Sequence, residues 1–293
     1  MQFDHLPQRL KYALQEDAVP SDITTRAIPG VTTTRLRAVV LAKAAGVLCG
    51  GFLGPLIFKQ LDKKARYRPL KRDGAHIRAG DRLAEIRCSA AALLGGERLF
   101  LNLMCHLSGV ATLTRRYVDA VRGTGAKIVD TRKTTPLWRD LERYAVVCGG
   151  GENHRFSLGD AVLVKDNHHK LLRGRGLLAS GVYGVGAPVR RKAGFVAIEA
   201  ATLPEVWEAI KARPDIILLD NMPLNRIKDS LVFIRAAREA LKSNKPSIEV
   251  SGGVTLQNVR PVATLGVDRI SVGAITHSAP ALDISLEVTD GGL

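Results

Sequence analysis

From Lys127 onward the chain repeats one pattern, and that pattern limits its fold more than anything else in it. Six short apolar runs recur: Ile128-Val129, Ala161–Val164, Phe195–Ile198, Ile216–Leu219, Ile248–Val250 and Arg269–Val272. Helical stretches separate most of them, at Leu137–Val147, Leu203–Lys211, Ile227–Leu241 and Leu256–Leu265. Short strands interleaved with helices build a parallel sheet, because each strand needs a crossover before it can lie beside the next in the same direction. The alternation is regular enough to predict an α/β barrel.

The ends of these runs carry the chemistry. They read Asp130-Thr131-Arg132-Lys133, Lys165-Asp166-Asn167-His168, Glu199-Ala200-Ala201-Thr202, Asp220-Asn221-Met222, Ser251-Gly252-Gly253 and Gly273-Ala274-Ile275-Thr276-His277. In α/β barrels the carboxyl ends of the strands hold the active site, since all the βα loops meet there. A purely structural strand end would carry Gly, Asn and Asp, not Lys and Glu in line with a strand.

Residues 2–17 space Phe3, Leu6, Leu10, Ala13 and Leu14 as a helix. Asp22 then reads as a structural cap in a turn. Leu36 to Ile86 is β-rich, with a short helix near Phe52–Leu61. Ser89 to Val121 is strongly helical, and Ser108-Gly109 predicts a break into two helices. This first half is an α+β domain with little catalytic chemistry. Arg98 sits on its apolar helix, either as a rim or ion-pair residue or as an arginine committed to a partner chain's site.

Composition narrows the function. The chain has 293 residues, 46% hydrophobic, with a formal charge of +15. Such a charge suits a solvated surface, a nucleic-acid partner or a site for phosphates and carboxylates. Aromatic residues make up only 5%, so stacking platforms for bases are scarce, and no zinc-ligand spacing or long basic tail is present. Cys49, Cys88, Cys105 and Cys148 form no C-x-x-C pair and read as reduced core residues of a cytoplasmic protein. The first residues carry no secretory signal. The apolar stretch Ala38–Phe58 is interrupted by Lys43, glycines and Pro55, so no membrane span is expected.

The cations at the expected barrel mouth are Arg132, Lys133, Arg155 and Lys165, with His154 beside them. Guanidinium groups fork onto the carboxylates of a planar diacid, and lysine meets phosphate as a point charge. The anions are Glu199 and Asp220. Paired carboxylates serve as acid and base, as metal ligands, as hydroxyl acceptors, or simply to neutralise the cations. With phosphates nearby, Mg²⁺ held partly through water is the natural choice. Ser251-Gly252-Gly253 and Gly273-Ala274 supply bare backbone N–H groups before expected helices, a phosphate site. His277 and Ser278 could add donors. Together these groups predict a phosphoribosyl donor meeting an aromatic acid.

At these residues the chain resembles the quinolinate phosphoribosyltransferase family, the carboxylating nicotinate-nucleotide pyrophosphorylases. The resemblance rests on ERLFLNLMCHLSGVATLTRRYVDAV, DTRKTTP, YAVVCGGGENHRFSLGDAVLVKDNH, DIILLDNM, SGGVTLQNV and SVGAITHSAPALDIS, with EDAVPSDITT near the start. It implies an α/β fold: a sandwich domain over 1–113 to which residues 278–293 return, and an incomplete α/β barrel over 114–277. It implies a homodimer whose partner closes each mouth, and Mg²⁺ as cofactor. The reaction it implies joins quinolinate to phosphoribosyl pyrophosphate and releases nicotinate mononucleotide, pyrophosphate and CO₂ in NAD biosynthesis.

Carried over by motif, Arg132, His154, Arg155 and Lys165 are the quinolinate-binding cations, next to Thr131, and Arg98 is lent by the other subunit. Lys133 serves the pyrophosphate side. Glu199 and Asp220 sit near ribose and metal, and with Lys133 and Lys165 they form the implied catalytic set. Ser251, Gly252, Gly253, Gly273, Ala274 and His277 match the 5′-phosphate site. The chain departs from the family at Ser21, at Leu137-Trp138, at Ala197 in the strand ending at Glu199, and in the Gly- and Arg-rich segment Lys170–Lys192. Rival readings are a molybdenum-transport-associated branch with a different acceptor, and a basic nucleic-acid-binding protein.

Overall fold

The structure, a computed structural model, describes Phe3, residues 5–174 and residues 192–289, with the backbone alone for 172–174. Most of the Lys170–Lys192 segment lies outside the described residues. The strands in chain order are β1 (Arg35–Ala42), β2 (Gly46–Val47), β3 (Arg66–Pro69), β4 (His76–Ile77), β5 (Arg82–Ser89), β6 (Lys127–Val129), β7 (Val162–Val164), β8 (Val196–Ala200), β9 (Ile216–Asp220), β10 (Ser247–Ser251), β11 (Arg269–Ser271) and β12 (Ile284–Thr289). The chain divides into two compact units. One comprises Met1–Arg115, Thr134–Gly150 and Ser278–Leu293; the other comprises Arg116–Lys133 and Gly151–His277.

The first unit is built on an antiparallel sheet in the order β12-β1-β5-β3. The last strand returns to the first, pairing Arg37 with Thr289 through to Ala42 with Ile284. Asp22 is the cap expected of it: its Oδ1 accepts the Thr25 N–H at 3.0 Å ahead of a short helix, Ile23–Arg26. Thr134–Gly150, within the sequence range assigned to the barrel, is held in this first unit. There Arg9 pairs with Asp140, the Tyr144 hydroxyl donates to Asp73 at 3.1 Å, and His106 meets the fully buried Glu142 at 2.8 Å. All four cysteines are free; Cys49 and Cys88 are buried, and Cys105 and Cys148 half-buried. Part of the surplus charge lines a concave surface of this unit, where Arg37, Lys59, Arg66, Arg68, Arg82 and Arg87 gather around Glu85.

The break expected at Ser108-Gly109 does not occur. Ala90–Ala120 is one helix of 31 residues. Ser108 spends its hydroxyl on the backbone of Cys49 instead of on a helix cap, donating to the Cys49 carbonyl at 3.1 Å and accepting its N–H at 2.9 Å. Gly109 is present for close approach, not for a turn: a Cβ there would lie 2.1 Å from the Pro280 carbonyl oxygen.

The second unit holds six parallel strands in the order β6-β11-β10-β9-β8-β7. All six runs read from the sequence are strands. β6 and β7 are the two edges of the sheet, so the barrel is incomplete. Ile128, Ile198, Ile217, Leu219, Ile248 and Ile270 are almost wholly buried, and each such side chain stabilises the fold by about 1.5–3 kcal/mol. Leu203–Lys211 forms a helix at the expected residues, and Thr202 caps it, accepting the Glu205 N–H at 3.4 Å. The helix expected over Leu256–Leu265 is only Val259–Ala263. Asn258 takes the preceding residues into a side-chain-braced turn, described below. Among the described residues, no helix is long and apolar enough to cross a membrane.

Gly109→Ala should lower stability by about 1–3 kcal/mol through overpacking against Pro280. A denaturant titration showing an unchanged midpoint would contradict the close approach.

Candidate functional site

Parallel register decides which side chains meet. Glu199 pairs with Leu218, Leu218 with Glu249, and Glu249 with Arg269. Neighbours in register share a face of the sheet, so these four residues form one layer on its concave side. Two residues further on, Asp220 pairs with Ser251, on the same face. There the strands end and their loops take over, around a cavity of about 950 Å³.

Of the residues that the sequence singles out, Thr131, Arg132, Lys133, His154, Arg155, Lys165, Glu199, Asp220, Ser251, Gly252, Gly253, Gly273, Ala274 and His277 all line this cavity. Arg98 does not; it is exposed on the Ala90–Ala120 helix in the first unit. Asp130 and Asn221, strand-end residues given no role from the sequence, also line the cavity, as do Thr255 and Glu249. Glu249 left a signal: an acid between Ile248 and Val250 in an otherwise apolar strand.

On one side of the cavity stand the guanidinium groups. Arg155 is 7% exposed, and its Nη1 donates to the Ala161 carbonyl at 3.0 Å. Burial lowers its pKa, and the neighbouring positive charge of Arg132 lowers it further. Like charges held close together are stabilised by an anionic guest. His154 lines the same side, but its ring is committed to the protein. Nδ1 accepts the Arg155 N–H at 2.8 Å, so the ring proton sits on Nε2, which faces Glu249 Oε1 at 3.4 Å. The His154 backbone N–H donates to the buried Asp130 at 2.7 Å, and its ring stands edge-on to Phe195.

A second group of lining residues is acidic and glycine-rich, with lysines among them. Lys165 Nζ lies 3.5 Å from Glu199 Oε2. Burial raises the Glu199 pKa; Lys165 pulls it down and the nearby Asp220 adds to the rise. Burial also raises that of Asp220, against the pull of Lys165 and Lys133. Gly252 and Gly253 have φ of +85° and +61°, and a Cβ at Gly252 would lie 2.8 Å from the Asn221 nitrogen. The Asn258 side chain braces this turn, accepting the Thr255 N–H at 2.8 Å and donating to the Gly253 carbonyl at 2.9 Å. No helix follows Gly253 directly, so here the expected helix N-terminus is replaced by this braced turn. Gly273 does lead straight into a short helix, Ala274–His277. A Cβ on Gly273 would sit 3.0 Å from His277 Nε2 and 3.2 Å from Lys133 Cδ. The Thr276 hydroxyl fixes that corner by donating to the Lys133 carbonyl at 2.7 Å.

Among the described residues, no group of three or more His, Cys, Asp or Glu side chains could cage a metal. Two half-buried carboxylates beside an open polar cleft nonetheless fit Mg²⁺, which keeps several waters and takes one or two carboxylates plus oxygens of a phosphate ligand.

Comparison with known proteins agrees with this geometry. The family model "Quinolinate phosphoribosyl transferase, C-terminal domain" matches residues 110–287, and its N-terminal counterpart matches residues 22–108. The chain is 38% identical over 291 residues to the nicotinate-nucleotide pyrophosphorylase (carboxylating) of Mycobacterium leprae, covering 98% of each chain. It is 37% identical over 288 residues to a probable enzyme of the same name from Bacillus subtilis, covering 97% of this chain and 93% of that one. The solved structure of NadC from Streptococcus pyogenes superposes with a TM-score of 0.87 at 35% identity, covering 99% of both.

The raised pKa of Asp220 has a sign that can be checked. The folded state holds its proton more tightly than the unfolded chain, so stability falls as pH rises through and above the usual carboxyl range. Asp220→Asn should therefore raise the melting temperature at neutral pH, and the gain should vanish in acid, once the wild-type carboxyl is protonated. A melting temperature lowered at neutral pH would show that Asp220 is net stabilised as the anion.

Proposed function

The chain belongs to the quinolinate phosphoribosyltransferase family, and from that premise we propose that it transfers phosphoribosyl from phosphoribosyl pyrophosphate to quinolinate with loss of CO₂, forming nicotinate mononucleotide for NAD biosynthesis. The observation that carries the proposal is one cavity lined by two chemically distinct groups: the guanidinium pair Arg132–Arg155, and the carboxylates Glu199 and Asp220 with their lysines and the glycine turns.

Arg132, His154, Arg155 and Lys165 bind the acid, next to Thr131, with Lys165 also reaching Glu199. The turns at Ser251-Gly252-Gly253 and Gly273-Ala274 bind the 5′-phosphate through backbone N–H groups, with His277 beside them. Glu199 and Asp220 hold the ribose hydroxyls and the bound metal. Mg²⁺, when bound with the donor, neutralises charge on the pyrophosphate.

Breaking the ribosyl–pyrophosphate bond leaves positive charge on the sugar and negative charge on the leaving group. Lys133 meets the second and the Glu199–Asp220 pair supports the first. The pyridine nitrogen attacks the sugar from the face opposite the departing pyrophosphate. Holding the two reactants in line is therefore a large share of the rate enhancement. The new bond makes the ring nitrogen cationic. The C–C bond to the adjacent carboxylate then breaks, CO₂ leaves, its electron pair stays on the ring carbon, and that carbon takes a proton. The ring cation supports the electron pair, so no protein nucleophile is required.

Arg98 is exposed on its helix. We infer that it serves the mouth of a second copy, in a homodimer located in the cytoplasm, and that no nucleic acid is involved.

Purified protein with phosphoribosyl pyrophosphate, Mg²⁺ and quinolinate should form nicotinate mononucleotide and CO₂ in equal amounts, and chelation of the metal should stop both. Nicotinate in place of quinolinate should give little product. Absence of nucleotide with quinolinate would overturn the proposal and leave the acceptor-variant branch as the better reading.

A further inference from the structure

One buried charge beside the cavity takes no part in these roles. Glu249 is fully buried on β10, in the same layer as Glu199, in the wall of the cavity. One hydrogen bond and two charge contacts converge on its carboxylate. The Ser271 hydroxyl donates to Oε1, His154 Nε2 faces Oε1 at 3.4 Å, and Arg269 Nε lies 3.0 Å from Oε2. Burial alone would favour the protonated acid; His154, Ser271 and Arg269 outweigh it and hold the carboxyl below its ordinary range.

The set of neighbours defines the residue type. An O–H and two N–H groups demand an acceptor on every side, which an ionised carboxylate offers and an amide does not. Glutamine has the right shape, but its NH₂ would face at least one donor. The consequence runs upward through His154. With Nε2–H directed at Glu249, Nδ1 is left as an acceptor, and it takes the Arg155 N–H at 2.8 Å. That fixes the peptide from which the Arg155 side chain enters the cationic side of the cavity, where Nη1 is tied to the Ala161 carbonyl at 3.0 Å.

We propose that Glu249 is a positioning residue for the acid substrate: acting through the His154 imidazole, it sets the placement of the Arg155 guanidinium without touching the substrate itself. This rests on the assignment of Arg155 to quinolinate binding. Glu249 governs the acceptor and leaves the phosphoribosyl donor alone.

Steady-state kinetics with both substrates varied tests it. Glu249→Gln should raise KM for quinolinate roughly ten- to hundred-fold, the scale for losing hydrogen bonds to a charged group. KM for phosphoribosyl pyrophosphate, and kcat at saturating quinolinate, should stay within about threefold. Glu249→Asp keeps an acceptor-only group and should fall between wild type and Gln, although Gln is the closer match in volume. Equal losses for both substrates, a Gln variant that behaves as wild type, or an Asp variant worse than Gln would each overturn the proposal. Nitrogen-15 spectra of the wild-type imidazoles test it even if the Gln variant fails to fold. His154 should carry its hydrogen on Nε2, and a hydrogen on Nδ1 would contradict the proposal. Absence of turnover by the wild-type protein would instead sink the functional reading.

Discussion

The cavity depends on holding like charges together. Arg132 and Arg155 lie close enough for one to depress the pKa of the other, at a place where burial already disfavours charge. A folded chain tolerates this only if rigid groups beneath it carry the cost. Here they are the buried acids Asp130 and Glu249, the first accepting from the His154 backbone and the second facing the His154 ring. Two guanidinium groups this close suit an anionic guest.

The parallel sheet makes that arrangement possible. Side chains alternate along each strand, so one register places Glu199, Leu218, Glu249 and Arg269 in a row, and the next step places Asp220 beside Ser251. A slip of one residue in β10 would turn Glu249 outward and bring Ile248 and Val250 in. The buried isoleucines on the other face make such a slip costly. The carboxylate pair and the glycine turns keep their mutual placement for the same reason. They end neighbouring strands, and each loop starts from a fixed point.

Much of this was legible in the chain itself. Apolar runs ending in polar, charged or glycine residues marked all six strands of the second unit, and residues from every one of those ends line one cavity. What was not legible depends on tertiary contacts. Ser108-Gly109 has the local signature of a helix break, but the approach of Pro280 and the backbone of Cys49 turn both residues into packing devices inside one long helix. The helix expected from Leu256 starts late because Asn258 braces the glycine turn instead. His154 has the residue type of a ligand-binding cation, and only the position of the Arg155 N–H reveals its role as an acceptor. In DTRKTTP, the Arg and Lys face the cavity, whereas Thr135 caps the buried Glu142 of the first unit, its hydroxyl donating at 2.7 Å. Motif adjacency did not foretell that division of labour.

Isothermal titration of two variants separates the part of the mouth that holds the acid from the part that holds the donor. Arg132→Ala should weaken quinolinate by about 1.5–3 kcal/mol, roughly ten- to hundred-fold, and leave phosphoribosyl pyrophosphate nearly unchanged. Gly252→Ala, which forces a Cβ against the Asn221 backbone, should do the reverse. Comparable losses of both ligands in both variants would contradict a divided mouth.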